Sequence, residues 1–392
     1  MNFDFMTAAR IIFGRGTFEK IGDAVKEFGG RTLVIKGGGH VDSDGTMDRL
    51  RSGLARRGVE AMVLGISGEP TVERVEELTD SVNTMRIDSV IGIGGGSVID
   101  AAKAVAALAS NGGRVLDYIE VIGSGRAFTR PSLPMIAVPT TSGTGSEVTK
   151  NAVLSSKQHG VKASLRGAFL LPKIAIVDPA LTDGLPAGVT AATGMDAITQ
   201  LLEPYVCRNS NGITDCLSLD GFERACRSIA RVVENPGDVD ARDDMSLASL
   251  FGGICLANSG LGAVHALAAV IGGRFQAPHG AVCGALLAPV VEMNMTALAK
   301  ENPKHPVLER YSKLGTIMAR GLKGGNFEGG EDLASMIYKL AGKLGIPGLA
   351  AYGIAEKDIG SIAVAALKAS SMRHNPAALN EELLTGAIRK AL

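Results

Sequence analysis

Through roughly its first 180 residues the chain alternates two kinds of apolar spacing. Short aliphatic and β-branched runs read as strands buried on both faces: Arg31–Ile35, Ala61–Ile66, Asp88–Ile93, Pro134–Val138 and Ala175–Asp178. Between them, helical spacing runs over Thr17–Phe28, Thr46–Arg57, Thr71–Met85 and Ser97–Leu108, with Thr17 placed as an N-cap and Gly29-Gly30 as a stop. Short apolar strands separated by helices predict parallel βαβ units and a doubly wound sheet. Past Pro186 the strand signals cease, and Ala-, Leu- and Gly-rich helical patterns run to the end of the chain. The expected organisation is an α/β domain over residues 1–185 and an all-helical domain over 186–392, with a surface loop at Gly321–Gly330 and no internal repeat.

Composition narrows the function classes. The chain has 392 residues, 46% of them hydrophobic, with 40 Lys and Arg against 40 Asp and Glu, so no basic excess is present to neutralise phosphates and a nucleic-acid partner is not expected. Aromatic residues make up 4% and Trp is absent, which argues against a base-stacking surface. The 5 cysteines are scattered with no CxxC pair, as expected of reduced thiols in the cytoplasm. Asp4 and Arg10 interrupt the N-terminal segment, which does not read as a secretory signal, and no unbroken apolar run reaches the ~18 residues of a membrane span.

Two glycine-rich turns carry candidate chemistry. In Gly92-Ile-Gly-Gly-Gly-Ser97-Val-Ile-Asp100-Ala-Ala-Lys103, a strand ends in glycines and a helix begins, so Gly95, Gly96 and Ser97 would let a pyrophosphate approach the open helix N-terminus, with Asp100 one turn on. Tight packing alone also explains such a turn. The second stretch, Pro139-Thr140-Thr141-Ser142-Gly143-Thr144-Gly145-Ser146-Glu147-Val148-Thr149, is dense in hydroxyls; Thr140, Thr141 and Thr144 are candidate donors to phosphate or ribose.

The pair GGGSxxDxAK and PTTxGTGSEVT resembles the iron-containing (group III) alcohol dehydrogenase family. Leu181–Pro186 after Val177-Asp178-Pro179, and Pro278-His279-Gly280 before Leu286-Leu287, extend the likeness along the whole chain. The resemblance implies a dehydroquinate synthase-like fold, an NAD(P) cofactor, a divalent metal (Fe or Zn) in a cleft between the domains, a small alcohol or aldehyde substrate, and a homodimer or higher homo-oligomer. It also implies metal ligands at Asp196, Gln200, His265 and His279, with the two histidines as catalytic groups. Asp196 and Gln200 are four apart in a helical segment and share one face. The chain departs from the family twice. Gln200 stands where the family usually has His, and Ala269 stands where a further His passes the proton to solvent. Two readings follow: a metal held by Asp196, His265 and His279 with Gln200 or water completing the set, or a metal-free reductase resembling maleylacetate reductase.

The strand at Leu33–Ile35 runs into Lys36-Gly37-Gly38-Gly39-His40, and no acid appears before Asp42. An acid at that place would bond the ribose 2′-OH of NAD. With Gly38 and Gly39 near the ribose and Lys36 and His40 flanking them, the expectation leans to NADP. Lys162 occupies a position the family uses near the cofactor. Two other classes compete. A sugar-phosphate lyase of the same fold needs a cationic cluster, and Leu261–Leu287 offers only Arg274. A non-catalytic nucleotide-binding relative would have lost its metal site.

Overall fold

The computed structural model describes residues 2–83, 86–322 and 331–392. The chain separates into two compact units. One comprises Met6–Thr141 and Gly145–Leu185; the other comprises Pro186–Leu392 together with residues 2–5 and Ser142–Thr144.

The first unit is built on strands β1 (Arg10–Phe13), β2 (Arg31–Lys36), β3 (Glu60–Gly65), β4 (Ser89–Gly94), β5 (Met135–Pro139), β6 (Asn151–Ser156), β7 (Val161–Arg166) and β8 (Ile174–Val177). Six of them form one sheet in the order β1-β8-β5-β4-β2-β3, with every pair parallel. Its helices are α1 (Ile21–Lys26), α2 (His40–Ser43), α3 (Thr46–Arg56), α4 (Val72–Asn83), α5 (Gly96–Asn111) and α6 (Val115–Tyr118). Strand alternation feeds two cores. Leu33, Ile35, Val90 and Ala137 pack with α4 and α5, while Val34, Ile91, Ile93, Ile136 and Val138 pack with α1 and α3. Strands buried on both faces are therefore continuous apolar runs, which is why they were legible.

Two elements escape that reading. β1 is a four-residue edge strand whose ends are exposed. β6 and β7 form a separate antiparallel hairpin in which β6 alternates partly exposed and buried positions, so its polar face breaks the apolar run. Thr17 does not cap a helix. It opens a 3-10 turn over Thr17–Lys20 behind Gly16, and its hydroxyl donates back to Gly14 O, so the helix expected from Thr17 begins properly at Ile21. The helix expected to reach Met85 is α4, and residues 84–85 lie outside the described residues.

The second unit consists of α7 (Ala187–Val206), α8 (Gly212–Glu234), α9 (Val239–Ser259), α10 (Ala263–Arg274), α11 (His279–Glu301), α12 (Pro306–Gly321), α13 (Leu333–Lys343), α14 (Glu356–Leu367) and α15 (Glu381–Lys390), with short 3-10 turns. No strand occurs in it among the described residues. The loop expected at 321–330 lies, beyond Leu322, outside the described residues. α11 is long and apolar enough to cross a membrane, but 72% of its apolar window is buried within the protein, as in a core helix. Its Leu286, Leu287, Val290 and Val291 meet Ile198 and Leu202 of α7 in the same core.

Candidate metal centre and dinucleotide loops

The order in which strands are added to the sheet reverses between β2 and β4, because β2 leads outward to β3 whereas β4 leads to β5 on its other side. Open α/β sheets bind ligands at such a switch point, beyond the carboxyl ends of the strands. Gly37 N donates to Ile93 O at 3.2 Å and Thr140 N to Gly94 O at 2.9 Å, so the loops after β2, β4 and β5 lie side by side there. Gly95 is the N-cap of α5, and no side chain caps that turn, which leaves its first amides open to an anion. A Cβ on Gly95 would come 3.4 Å from Thr141 Oγ1, which brings Thr141 next to Gly95. Gly39 has φ +79, a conformation suited to glycine, and a Cβ on Gly38 would meet nothing.

Three expected cofactor residues have other contacts within the protein. The Asp100 carboxylate is buried and accepts from Val153 N at 3.0 Å, close to the buried Lys103 ammonium, which donates to Thr149 Oγ1 and Asn151 O. Asp100 thus ties α5 to β6. Lys162 is held by Glu69 at 3.1 Å. Thr144 belongs with Ser142 and Gly143 to the helical unit. The turn after β2 is also less cationic than its sequence suggests. Lys36 Nζ donates to both oxygens of Asp42, at 2.6 and 2.5 Å, and the Nε2 of His40 lies 3.2 Å from Leu181 O. Burial pushes Glu147 of the hydroxyl-rich loop up to about 7 and Lys103 down to about 8. A cavity of about 180 Å³ opens instead at the amino ends of β5 and β8, lined by Thr7, Ser132 and Lys173 among others, away from the glycine turns.

In the helical unit, Asp196 and Gln200 of α7, His265 of α10 and His279 at the start of α11 come together. His265 Nε2 lies 3.3 Å and His279 Nε2 3.8 Å from Asp196 Oδ1. Glycine makes the approach possible. A Cβ at Gly280 would lie 2.2 Å from Ala192 O, so only glycine lets α11 press onto α7 and deliver His279 to Asp196. Asp196 Oδ1, His265 Nε2 and Gln200 Oε1 are buried without a hydrogen-bond partner. Three buried polar atoms left unsatisfied at one point are costly unless a cation lies among them, so the residues fit a divalent metal. Gln200 also braces the neighbouring loop. Its Nε2 donates to Gly143 O at 3.3 Å, while Ser142 and Ser246 hydroxyls meet at 3.0 Å.

Two residues of this cluster carry no obvious mark in the sequence. Glu203, two turns along α7 from Asp196, is buried and accepts from His265 Nδ1 at 2.7 Å and from Val264 N at 2.8 Å. A Cβ at Gly262 would come 2.8 Å from Glu203 Oε1, so a larger residue there would crowd that carboxylate. Cys283, one turn after His279 on α11, has its Sγ 3.6 Å from His279 Nε2. The donor atoms of Asp196, His265, His279 and Cys283 all lie within 4.8 Å of one another. The spacing of four between His279 and Cys283 was the available signal, parallel to that of Asp196 and Gln200. Burial alone would disfavour a charged His265, but Cys283, Asp196 and Glu203 overturn it and hold its pKa well above the usual histidine range. Burial likewise opposes charge on Asp196, and the two histidines lower its pKa nonetheless.

A doubly wound sheet with glycine loops at its switch point, next in sequence to a helical unit with a buried donor cluster, fits a class of dinucleotide-binding enzymes. Residues 8–179 match the iron-containing alcohol dehydrogenase family, and residues 190–392 match the Fe-containing alcohol dehydrogenase family, C-terminal. The chain is 30% identical to a 1,3-propanediol dehydrogenase of Klebsiella pneumoniae, over 99% of this chain and 98% of that one. It is 29% identical to an NAD-dependent methanol dehydrogenase of Bacillus methanolicus, over 99% and 100%. The solved structure of an alcohol dehydrogenase from Oenococcus oeni superposes with a TM-score of 0.90 at 29% identity, covering 100% of both chains. The chain belongs to the iron-containing alcohol dehydrogenase family and is an oxidoreductase acting on CH–OH groups.

Proposed function

We propose that the protein interconverts a small alcohol and its aldehyde by reversible hydride exchange with NAD(P), assisted by Fe(II) or Zn(II) held by Asp196, His265 and His279. The carrying observation is the convergence of unpartnered Asp196 Oδ1, His265 Nε2 and Gln200 Oε1 in a buried pocket. When bound, the nicotinamide carries the hydride and the metal acts as a Lewis acid on the substrate oxygen. The chain's residues do the rest. The open first turn of α5, with Gly95, Gly96 and Ser97, binds the pyrophosphate, and Thr140 and Thr141 add hydroxyl donors beside it. Glu203 accepts a hydrogen bond from His265 Nδ1–H, which leaves Nε2 as the ring nitrogen that would hold the metal. Ala269 offers no ionisable group, so the alcohol proton reaches solvent without a relay at that position.

The turn after β2 carries no carboxylate apart from Asp42, which is engaged by Lys36, and this supports acceptance of NADP alongside NAD. The outer edge of β1 is unpaired among the described residues, which favours a homodimer or larger homo-oligomer. Five free cysteines suit a reducing cytoplasm.

The test is metal analysis of the purified protein, with turnover of a short-chain aldehyde panel by NADH and NADPH before and after chelation. Roughly one equivalent of Fe or Zn, and activity lost on chelation and regained on adding metal back, is the expected result. Turnover untouched by complete metal removal would replace this reading with a metal-independent reductase.

A further inference from the structure

We propose that Cys283 supplies a thiolate ligand to the metal, a stronger donor than the neutral Gln200 amide oxygen, and that the site thereby prefers zinc to harder divalent ions. The inference rests on the metal centre proposed above and adds a ligand to it.

Three observations carry it. First, Cys283 is fully buried, and its Sγ lies 3.6 Å from His279 Nε2 in the four-residue group whose donor atoms are all mutually within 4.8 Å. Second, three of the spacings match those of ligands around one ion. Metal–donor lengths of about 2.0–2.1 Å for N and O and about 2.3 Å for S give tetrahedral edges of about 3.3 Å between N or O donors and about 3.6 Å between N and S. The observed separations are 3.3 Å for His265–Asp196, 3.8 Å for His279–Asp196 and 3.6 Å for Cys283–His279. Third, the Gln200 amide is already engaged through Nε2 with Gly143 O, and its oxygen is a neutral, weak donor.

Charge and chemistry agree with this assignment. A Cys283 thiolate beside Asp196 brings a second anionic ligand to a divalent ion, whereas the Gln200 amide brings none. On binding, the S–H bond is broken, the sulfur–metal bond forms, and the proton leaves to solvent. A thiolate suits Zn(II) and Co(II) far better than Mg(II) or Mn(II).

The experiment uses the full-length protein loaded with Co(II), wild type and Cys283→Ser, with zinc affinity measured by chelator competition. The wild type is expected to show an intense near-ultraviolet thiolate-to-cobalt band. Cys283→Ser should lose the band and bind zinc at least about tenfold more weakly, while the metal-free proteins unfold at the same temperature. The double variant Gln200→His/Cys283→Ser should regain zinc affinity without regaining the band. Cobalt bound by the wild type without the band, or equal zinc affinity in Cys283→Ser, overturns the Cys283 assignment and leaves the metal centre standing. Failure of the wild type to bind either ion overturns the metal centre, and the Cys283 ligand with it.

Discussion

Glu203 Oε2 accepts a hydrogen bond from His265 Nδ1–H at 2.7 Å, and this bond decides which imidazole nitrogen faces Asp196. Because the other oxygen of Glu203 accepts from Val264 N, both carboxylate oxygens must act as acceptors. Glu203→Gln offers only one. Either Val264 N–H loses its partner or the ring flips tautomer and points an N–H at Asp196. We expect a loss of roughly 10–100-fold in metal affinity, with KM for the cofactor unchanged. Chelator competition on the folded variant measures it, and wild-type affinity would reduce Glu203 to a helix cap.

Gly280→Ala places a methyl group 2.2 Å from Ala192 O, so α11 must move away from α7 and take His279 with it. The expected cost is about 1–3 kcal/mol in stability, along with reduced metal content. Denaturant unfolding and metal analysis on the same sample check both. Retention of both would mean that the two helices separate without disturbing the cluster.

Gly95→Val tests the dinucleotide loop. Gly95 has φ −73, so a side chain there does not strain the backbone; any loss comes from bulk in front of α5. Cofactor affinity should fall at least about tenfold in a folded protein, since the pyrophosphate must approach the first turn closely. Fluorescence titration with NADH and NADPH reads the effect, and unchanged binding would make the glycine turn purely structural.

Asp42→Asn should release the Lys36 ammonium from its carboxylate partner. A charge-assisted contact to a 2′-phosphate is worth about 1 kcal/mol at an exposed site, so the NADPH-to-NADH affinity ratio should rise by roughly fivefold. An unchanged ratio would place Lys36 out of reach of the ribose.

Glu147 makes a prediction about pH. Its pKa is pushed from the ordinary carboxylate value of 4.5 up to about 7 by burial. The folded state therefore holds a proton that the unfolded chain releases, and stability falls as pH rises from 4.5 to 7. Glu147→Gln removes that contribution, so its Tm should decline less over this range and exceed that of the wild type at pH 7.5. Parallel Tm profiles for the two proteins would show that Glu147 ionises at an ordinary pKa.

Local features of the chain were enough to determine its two-part character, the strands β2 to β5 and β8, the glycine turns at 37–39 and 94–96, and the shared helix face of Asp196 and Gln200. Periodicity and turn chemistry act over a few residues, so they are written directly into the order of the amino acids. The likeness of GGGSxxDxAK and PTTxGTGSEVT to a family added His265 and His279. Tertiary structure alone decided the rest. It set the sheet order that puts the ends of β2 and β4 together, buried Asp100 against Val153, paired Lys36 with Asp42 and Lys162 with Glu69, and joined Ser142–Thr144 to the helical unit. It also brought Glu203 of α7 to His265 of α10, and set the His279–Cys283 pair of α11 beside Asp196 and His265, from helices far apart in sequence. Such contacts depend on which helix faces meet and how closely glycine lets them approach, as at Gly262 and Gly280, and no short window of sequence records that.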